Sequence, residues 1–413
     1  MLKYDSFVLE NGLRVIVHRD KSTPIVAMNI IYMVGSRDEN PDRTGFAHLF
    51  EHLMFGGSVH IPKYDEPLQK AGGENNAFTN NDFTNYYLTI PKNNIETAFW
   101  LESDRMLSLA FSEKSLDVQR QVVVEEFKQN YLNQPYGDVY LLLKPLAYKV
   151  HPYQWNTIGK DISHIEQATM DEVQAFYKKF YNPDNAILSI AGDVDPKEML
   201  KLAEKWFGPI PGGEKIERNY PQEPHQEEER ELEVNRKVPQ SAVYMAWHMP
   251  ERMNSGFYRA DLISDVLSNG NSSRMYQNLV KKSKMFSDIS AFVTGDLDPG
   301  LFIVTGRLLN GATPEQAEKM IRKELDEICG QPVSEEELRK INNKIEANLL
   351  FGRMSVLNKA MALGYYEMMG SASLLDEEIS KYQAVTRENI REMAGKIFNG
   401  SKPSKLFYRA ENN

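Results

Sequence analysis

The chain has 413 residues, 41 % hydrophobic and 26 % charged, which is too long for one compact core and suits two domains of roughly 200 residues. Its net charge of −10, from 48 Lys and Arg against 58 Asp and Glu with no long basic block, argues against nucleic acid as the main partner, because phosphate binding needs a positive footprint. No apolar run approaches the ~18 residues of a membrane-spanning helix. Asp5, Glu10 and Asn11 stand where a signal peptide would be apolar. A cytoplasmic location is therefore expected, with an exported form that has lost its signal as the alternative. The single cysteine, Cys329, can form neither an internal disulfide nor a thiolate zinc site. Any metal must be held by His, Asp or Glu.

In chain order, Phe7-Val8-Leu9, Asn11-Gly12 and the run over 13–17 predict a hairpin closed by a two-residue turn. Pro24 leads into a strand over 25–34, ended at Gly35-Ser36. A polar loop over 37–44 precedes an apolar helix over 45–55. A strand over 85–90 follows, then helices over 94–109 and 113–130 with helical apolar spacing. A helix over 170–180 and a strand over 186–191 complete this half. Strands and helices are mixed without strict alternation, which points to an α+β fold.

Between Pro209 and Pro239 the composition turns polar, with an acidic run over 226–231 that reads as a solvated tether, re-entry of its last part as a strand being the alternative. Beyond it the first half recurs. Pro24 and the strand after it match Pro239 and a strand over 242–249, an offset of 215. The helix carrying His48 matches one over 258–267, with Asp261 opposite His48 at an offset of 213. The segment from Thr386 matches that from Thr169 at an offset of 217. These near-equal offsets indicate a duplicated domain, divided as 1–215, a linker over 216–235, and 236–413.

The sharpest motif is His48-Leu49-Phe50-Glu51-His52. On a helix His48 and His52 are i and i+4, on one face about a turn apart, a geometry that suits two imidazole ligands of one Zn²⁺. Glu51 lies beside them and can serve as general base toward water acidified by the metal. The pattern is the inverted zinc-peptidase motif H-x-x-E-H. The apolar flanks bury this helix, and three titratable groups there are costly without a compensating metal. The third ligand must come from another element. Glu125 and Glu126, after the run Val122-Val123-Val124, are candidates about 100° apart on their helix, and spacing does not choose between them.

With these residues in view, the sequence resembles the pitrilysin/insulinase family of zinc metallopeptidases, notably its half-length members akin to mitochondrial processing peptidase. The resemblance spans essentially the whole chain. It is carried by Asn11 to Val15, Gly35-Ser36-Arg37-Asp38-Glu39, Gly45 to Gly57 around the motif, Asn76-Ala77-Phe78-Thr79, Tyr86-Tyr87, Val122 to Glu126, and Ala191-Gly192-Asp193. It implies two related α+β halves, each a mostly antiparallel sheet packed with helices, together forming half of a clamshell chamber that admits peptides or unfolded segments. It implies one Zn²⁺ per chain on His48, His52 and Glu126, with Glu51 as base, and so selects Glu126 over Glu125. A family glutamate seven residues before the third ligand is Gln119 here; Gln119 and Glu125 remain as neighbouring polar groups around the site. Asn76, Ala77, Phe78 and Thr79 match the strand on which substrate lies, adding to a sheet edge through main-chain hydrogen bonds. Phe55 is a candidate pocket wall or a core residue.

In the second half Asp261, Ser264 and Asp265 stand opposite His48, Glu51 and His52, so only the first half is expected to bind zinc. The family's second half also contributes an arginine and a tyrosine, seven residues apart, to substrate. Here those positions hold Val280 and Ser287. The expectation is a hetero-oligomer in which this chain supplies zinc and base and a homologous partner supplies the pair. Substitution by Lys281, Lys282 or Lys284, or a homodimer working without the pair, is one alternative and a non-catalytic scaffold subunit another. His18, His60, His164, His225 and His248 have no ligand-like spacing, and the loop at His151-Pro152-Tyr153 reads as structural. Thr313-Pro314 reads as a helix start, and Cys329 as a small buried hydrophobe.

Overall fold

The computed structural model describes residues 2–309 and 311–411, and its strands form two sheets. The first contains β1 (Asp5–Val8), β2 (Arg14–Arg19), β3 (Ile25–Tyr32), β4 (Glu74–Thr79), β5 (Thr84–Pro91) and β6 (Ala186–Gly192), in the order β1-β2-β6-β3-β5-β4. The second contains β7 (Arg230–Arg236), β8 (Ala242–His248), β9 (Phe286–Val293), β10 (Leu301–Leu308) and β11 (Ser404–Ala410), in the order β7-β11-β8-β10-β9. Apart from β1, the two orders correspond strand for strand. One pair in each is parallel, β2 with β6 and β7 with β11, and the other pairs are antiparallel. The two halves are thus related α+β folds. The central strands β3 and β6 are buried almost throughout, which is why they read as continuous apolar runs rather than alternating ones.

The first hairpin departs from the expected two-residue turn. Val8 pairs with Arg14, so the connection is residues 9–13. The Asn11 side-chain amide donates to the carbonyls of Phe207 and Ile210 at 2.8 and 2.9 Å. A tertiary anchor sets this loop, and Gly12 supplies its left-handed residue at φ +89°.

The compact units are discontinuous in sequence. Residues up to Lys128, Trp155–Tyr220 and Leu349–Glu377 form the first; Gln129–Gln154, Pro221–Asn348 and the residues from Glu378 onward form the second. Each sequence half lends one helix to the other's sheet. Val356–Met368 packs on β3 and β6, where Leu363 and Tyr366 join Ile16, Ile31 and Ile187 in one apolar cluster. Gly364 allows the close approach: a Cβ there would come within 2.9 Å of the Ser189 hydroxyl. Reciprocally, Val139–Ala147 packs on β8 and β11, with Val139 and Leu143 against Tyr244, Ala246 and Leu406.

The glutamates of the acidic run are exposed, but its last residues enter β7 and the run is anchored at both ends. Gln226 is buried, and Lys405 binds Glu229 and Glu231 at 3.0 and 2.8 Å. Upstream, Arg218 and Tyr220 bond to Asp38 at 2.9 and 2.7 Å. Among the described residues no helix is long and apolar enough to cross a membrane.

Candidate metal centre

The motif occupies the helix Phe46–Leu53, shorter than the apolar stretch 45–55. Its start is fixed by Gly45 at φ +93°, where a Cβ would lie 2.7 Å from the Ile158 carbonyl oxygen. Phe46, Ala47, Leu49, Phe50 and Leu53 are buried. Phe50 stacks on Phe176 and Tyr181, at ring separations of 5.0 and 5.1 Å, both reached through the helix Met170–Phe180 and its C-terminal cap. That packing turns His48, Glu51 and His52 to one side.

The helix Glu113–Phe127 packs alongside through Val123, Val124 and Phe127 and brings Glu126 to the histidines. Oε2 of Glu126 lies 3.4 Å from Nε2 of His52 and 3.7 Å from Nε2 of His48. The ligand atoms of the three residues all fall within 4.8 Å of one another, the one such group among the described residues. Glu125, one residue earlier, points to solvent and pairs with Lys128 at 2.8 Å. Gln119 is half-buried two turns before Glu126 on the same side of its helix.

Burial pushes the His48 imidazole down to about 4, with Glu126 opposing and His52 adding to the fall. His48 is thus neutral near pH 7, the form that ligates metal. The neutral His48 imidazole, the His52 imidazole and the Glu126 carboxylate thus converge on one place that a cation can fill. Tetrahedral zinc with bonds of ~2.0–2.1 Å sets its ligand atoms about 3.3–3.4 Å apart, close to the separations from Glu126. The donor set and its spacing fit zinc.

Glu51 is mostly buried, and burial raises its carboxyl above the usual range, opposed first by a hydrogen bond from Thr79. The Thr79 hydroxyl donates to its Oε2 at 2.7 Å. Thr79 ends β4, the edge strand that also carries Asn76, Ala77 and Phe78 and pairs on one side only, with β5. The Ala77 N–H is taken by the Asn76 side-chain oxygen at 2.8 Å. The expected base and the expected substrate strand are therefore joined by a direct bond that sequence reasoning did not foresee. Phe55 is half-buried against Tyr64 and lies 5.3 Å from the Arg105 guanidinium carbon.

The second unit holds no counterpart among its described residues. On the helix Ser255–Ser268, Asp261 accepts from the Tyr382 hydroxyl at 2.6 Å, Ser264 bonds the Asp261 carbonyl, and Asp265 accepts from Asn269. Burial raises Asp261 to about 6. Val280 lies in the π-helical turn Tyr276–Lys282, and Ser287 in β9 donates to Gln240 at 3.0 Å. Other histidines are bonded elsewhere: His18 to the Lys3 carbonyl, His60 to Asp104, His164 to Thr44, His151 to Asp298 and His248 to the Ala147 carbonyl. Cys329 is half-buried, and burial pushes its thiol up to about 11.

Residues 14–158 match the insulinase family (peptidase family M16), and residues 167–345 match the M16 peptidase inactive domain. His48, Glu51, His52 and Glu126 all fall in the first segment. The chain is 26 % identical over 417 residues to the zinc protease PqqE of Helicobacter pylori, covering 98 % of this chain and 93 % of that one. A crystal structure of a protease from Helicobacter pylori matches with a TM-score of 0.94 at 26 % identity, over 99 % of this chain and 100 % of that one. The probable mitochondrial-processing peptidase subunit beta of Schizosaccharomyces pombe is 28 % identical over 218 residues, 52 % of this chain and 47 % of that one.

Proposed function

The chain belongs to the pitrilysin/insulinase family of peptidases, and from that premise we propose that it is a zinc-dependent endopeptidase acting on peptides and unfolded segments. The observation that carries this reading is the convergence of His48, His52 and Glu126 beside a Glu51 that is bonded to the edge strand. Those three residues would hold one Zn²⁺ per chain. When bound there, the metal would supply Lewis acidity toward water and the scissile carbonyl. Glu51 takes the proton from the attacking water and returns it to the departing amine nitrogen as the amide C–N bond breaks. Thr79 keeps the Glu51 carboxylate in one orientation for both transfers. The open side of β4 gives an extended peptide a row of main-chain partners along Asn76 to Thr79. A folded protein has no free extended segment to offer that edge, so peptides and unfolded chains are the substrates.

On the same reading the working unit is a hetero-oligomer. Val280 and Ser287 leave this chain without the family's arginine and tyrosine, and a homologous subunit would supply them. The relative named as a subunit beta supports this. The test is hydrolysis of an internally quenched peptide by the zinc-loaded chain, alone and mixed with a homologous half-length chain that carries the pair. Mixing should raise the rate at least about a hundredfold, the scale of losing a donor to the transition state. An unchanged rate on mixing, with full turnover by this chain alone, overturns the hetero-oligomer.

A further inference from the structure

The segment Gly35-Ser36-Arg37-Asp38-Glu39 takes no part in the chemistry above, yet its last residue reaches the metal helix. The helix Phe46–Leu53 has only eight residues and begins at a glycine with no side chain to cap it. The first N–H groups of a helix lack internal partners, and so short a helix is marginal without outside support. Here one side chain serves two of them. Glu39 is buried, with Oε2 accepting from the Gly45 N–H at 2.9 Å and Oε1 from the Ala47 N–H at 2.8 Å. Ala47 precedes His48.

Glu39 is itself held firmly. The Gly35 N–H bonds Asp38 at 3.0 Å, and the other Asp38 oxygen accepts from Arg218 and Tyr220. Trp155 donates to the Ser36 carbonyl at 2.9 Å, and Arg37 pairs with Asp82 at 3.0 Å. The carboxylate is thus fixed in space, and the helix amides are fixed to it. A negative group suits the positive end of a helix, and only a carboxylate offers an acceptor to each amide. A glutamine would turn an NH₂ against one of the two N–H donors. Burial works the other way, raising the Glu39 carboxyl, and the Ala47 and Gly45 amides pull it back toward the ionised form. A serine or asparagine cap would satisfy an amide at lower desolvation cost, so capping alone does not explain a buried carboxyl at this place.

We propose that Glu39 is a positioning residue for the metal centre: by gripping the Gly45 and Ala47 amides it sets the rotation and depth of the Phe46–Leu53 helix, and so the placement of His48 and His52 against Glu126. The proposal rests on the reading that these three hold zinc. Its test uses the full chain loaded with zinc. Zinc release to a competing chelator and amide hydrogen exchange over 45–53 are measured for wild type, Glu39→Gln and a control, Glu337→Gln, which breaks an ion pair in the second unit. Glu39→Gln should speed zinc release about tenfold, the lower end for groups that orient metal ligands, with exchange protection lost first at Gly45 and Ala47. Glu337→Gln should release zinc at the wild-type rate. Glu39→Asp keeps the charge, withdraws the carboxylate by one methylene, and carries the same expectation if Glu39→Gln does not fold. Zinc release from the Glu39 variants at the wild-type rate, or no faster than from a control of equal thermal stability, overturns the proposal. A wild-type chain that takes up no zinc sinks the metal reading instead, while amide exchange still reports on the clamp.

Discussion

The Thr79 hydroxyl donates to Oε2 of Glu51 across 2.7 Å, so the last residue of the edge strand holds the carboxylate beside His48 and His52. The bond gives Thr79 a role that its backbone alone would not. Thr79→Val should lower kcat at least about tenfold, as expected for a hydrogen bond to a charged group worth ~1.5–3 kcal/mol, with KM and zinc content little changed. Thr79→Ser, which keeps the hydroxyl, should recover most of the loss. A KM effect without a kcat effect would assign Thr79 to peptide binding only.

Adjacent glutamates on the second helix should behave differently. Glu126→Ala removes one of three converging acceptors and should weaken zinc retention by at least about tenfold. Glu125→Ala breaks only an exposed pair with Lys128, of a kind worth ~0–1 kcal/mol, and should leave zinc content at one per chain. Metal analysis after dialysis against a weak chelator separates the two.

In the second unit, Arg274 bonds both oxygens of Glu337 at 2.8 and 3.0 Å, and that contact first, helped by the Ser334 N–H, holds the Glu337 carboxyl down to about 2. A carboxylate depressed on folding contributes stability above its unfolded pKa and loses it as pH falls toward the folded one. Glu337→Gln should therefore cost about 1–2 kcal/mol at pH 7. Urea unfolding of both proteins should show the difference shrinking between about pH 5 and pH 2.

How far the sequence discloses this molecule depends on how local each feature is. His48, Glu51 and His52 sit within one helical turn, so their shared face follows from helical geometry alone. The duplication shows in offsets because matching strands and helices keep their order. Spacing left Glu125 and Glu126 open and the family resemblance selected Glu126; burial of Val123, Val124 and Phe127 is what fixes the helix rotation physically. The exchanged helices Val139–Ala147 and Val356–Met368 were not legible. Each is apolar enough for either sheet, and nothing in a linear pattern says which sheet it covers. The Asn11 loop and the Lys405 pairs with Glu229 and Glu231 depend on partners more than 170 residues away, so local rules misread the turn and do not reveal the pairs. Glu39 escaped for the same reason: its carboxylate works six and eight residues downstream, across a loop.

The most direct measurement is the initial rate of quenched-peptide hydrolysis by zinc-loaded wild type and by Glu51→Gln at matched zinc content. The account predicts metal-dependent cleavage by wild type and a loss of at least about 10²-fold in the variant, the scale of a general base, with one zinc per chain in both. Equal rates in the two proteins, or no cleavage by wild type even with a homologous subunit present, would contradict it.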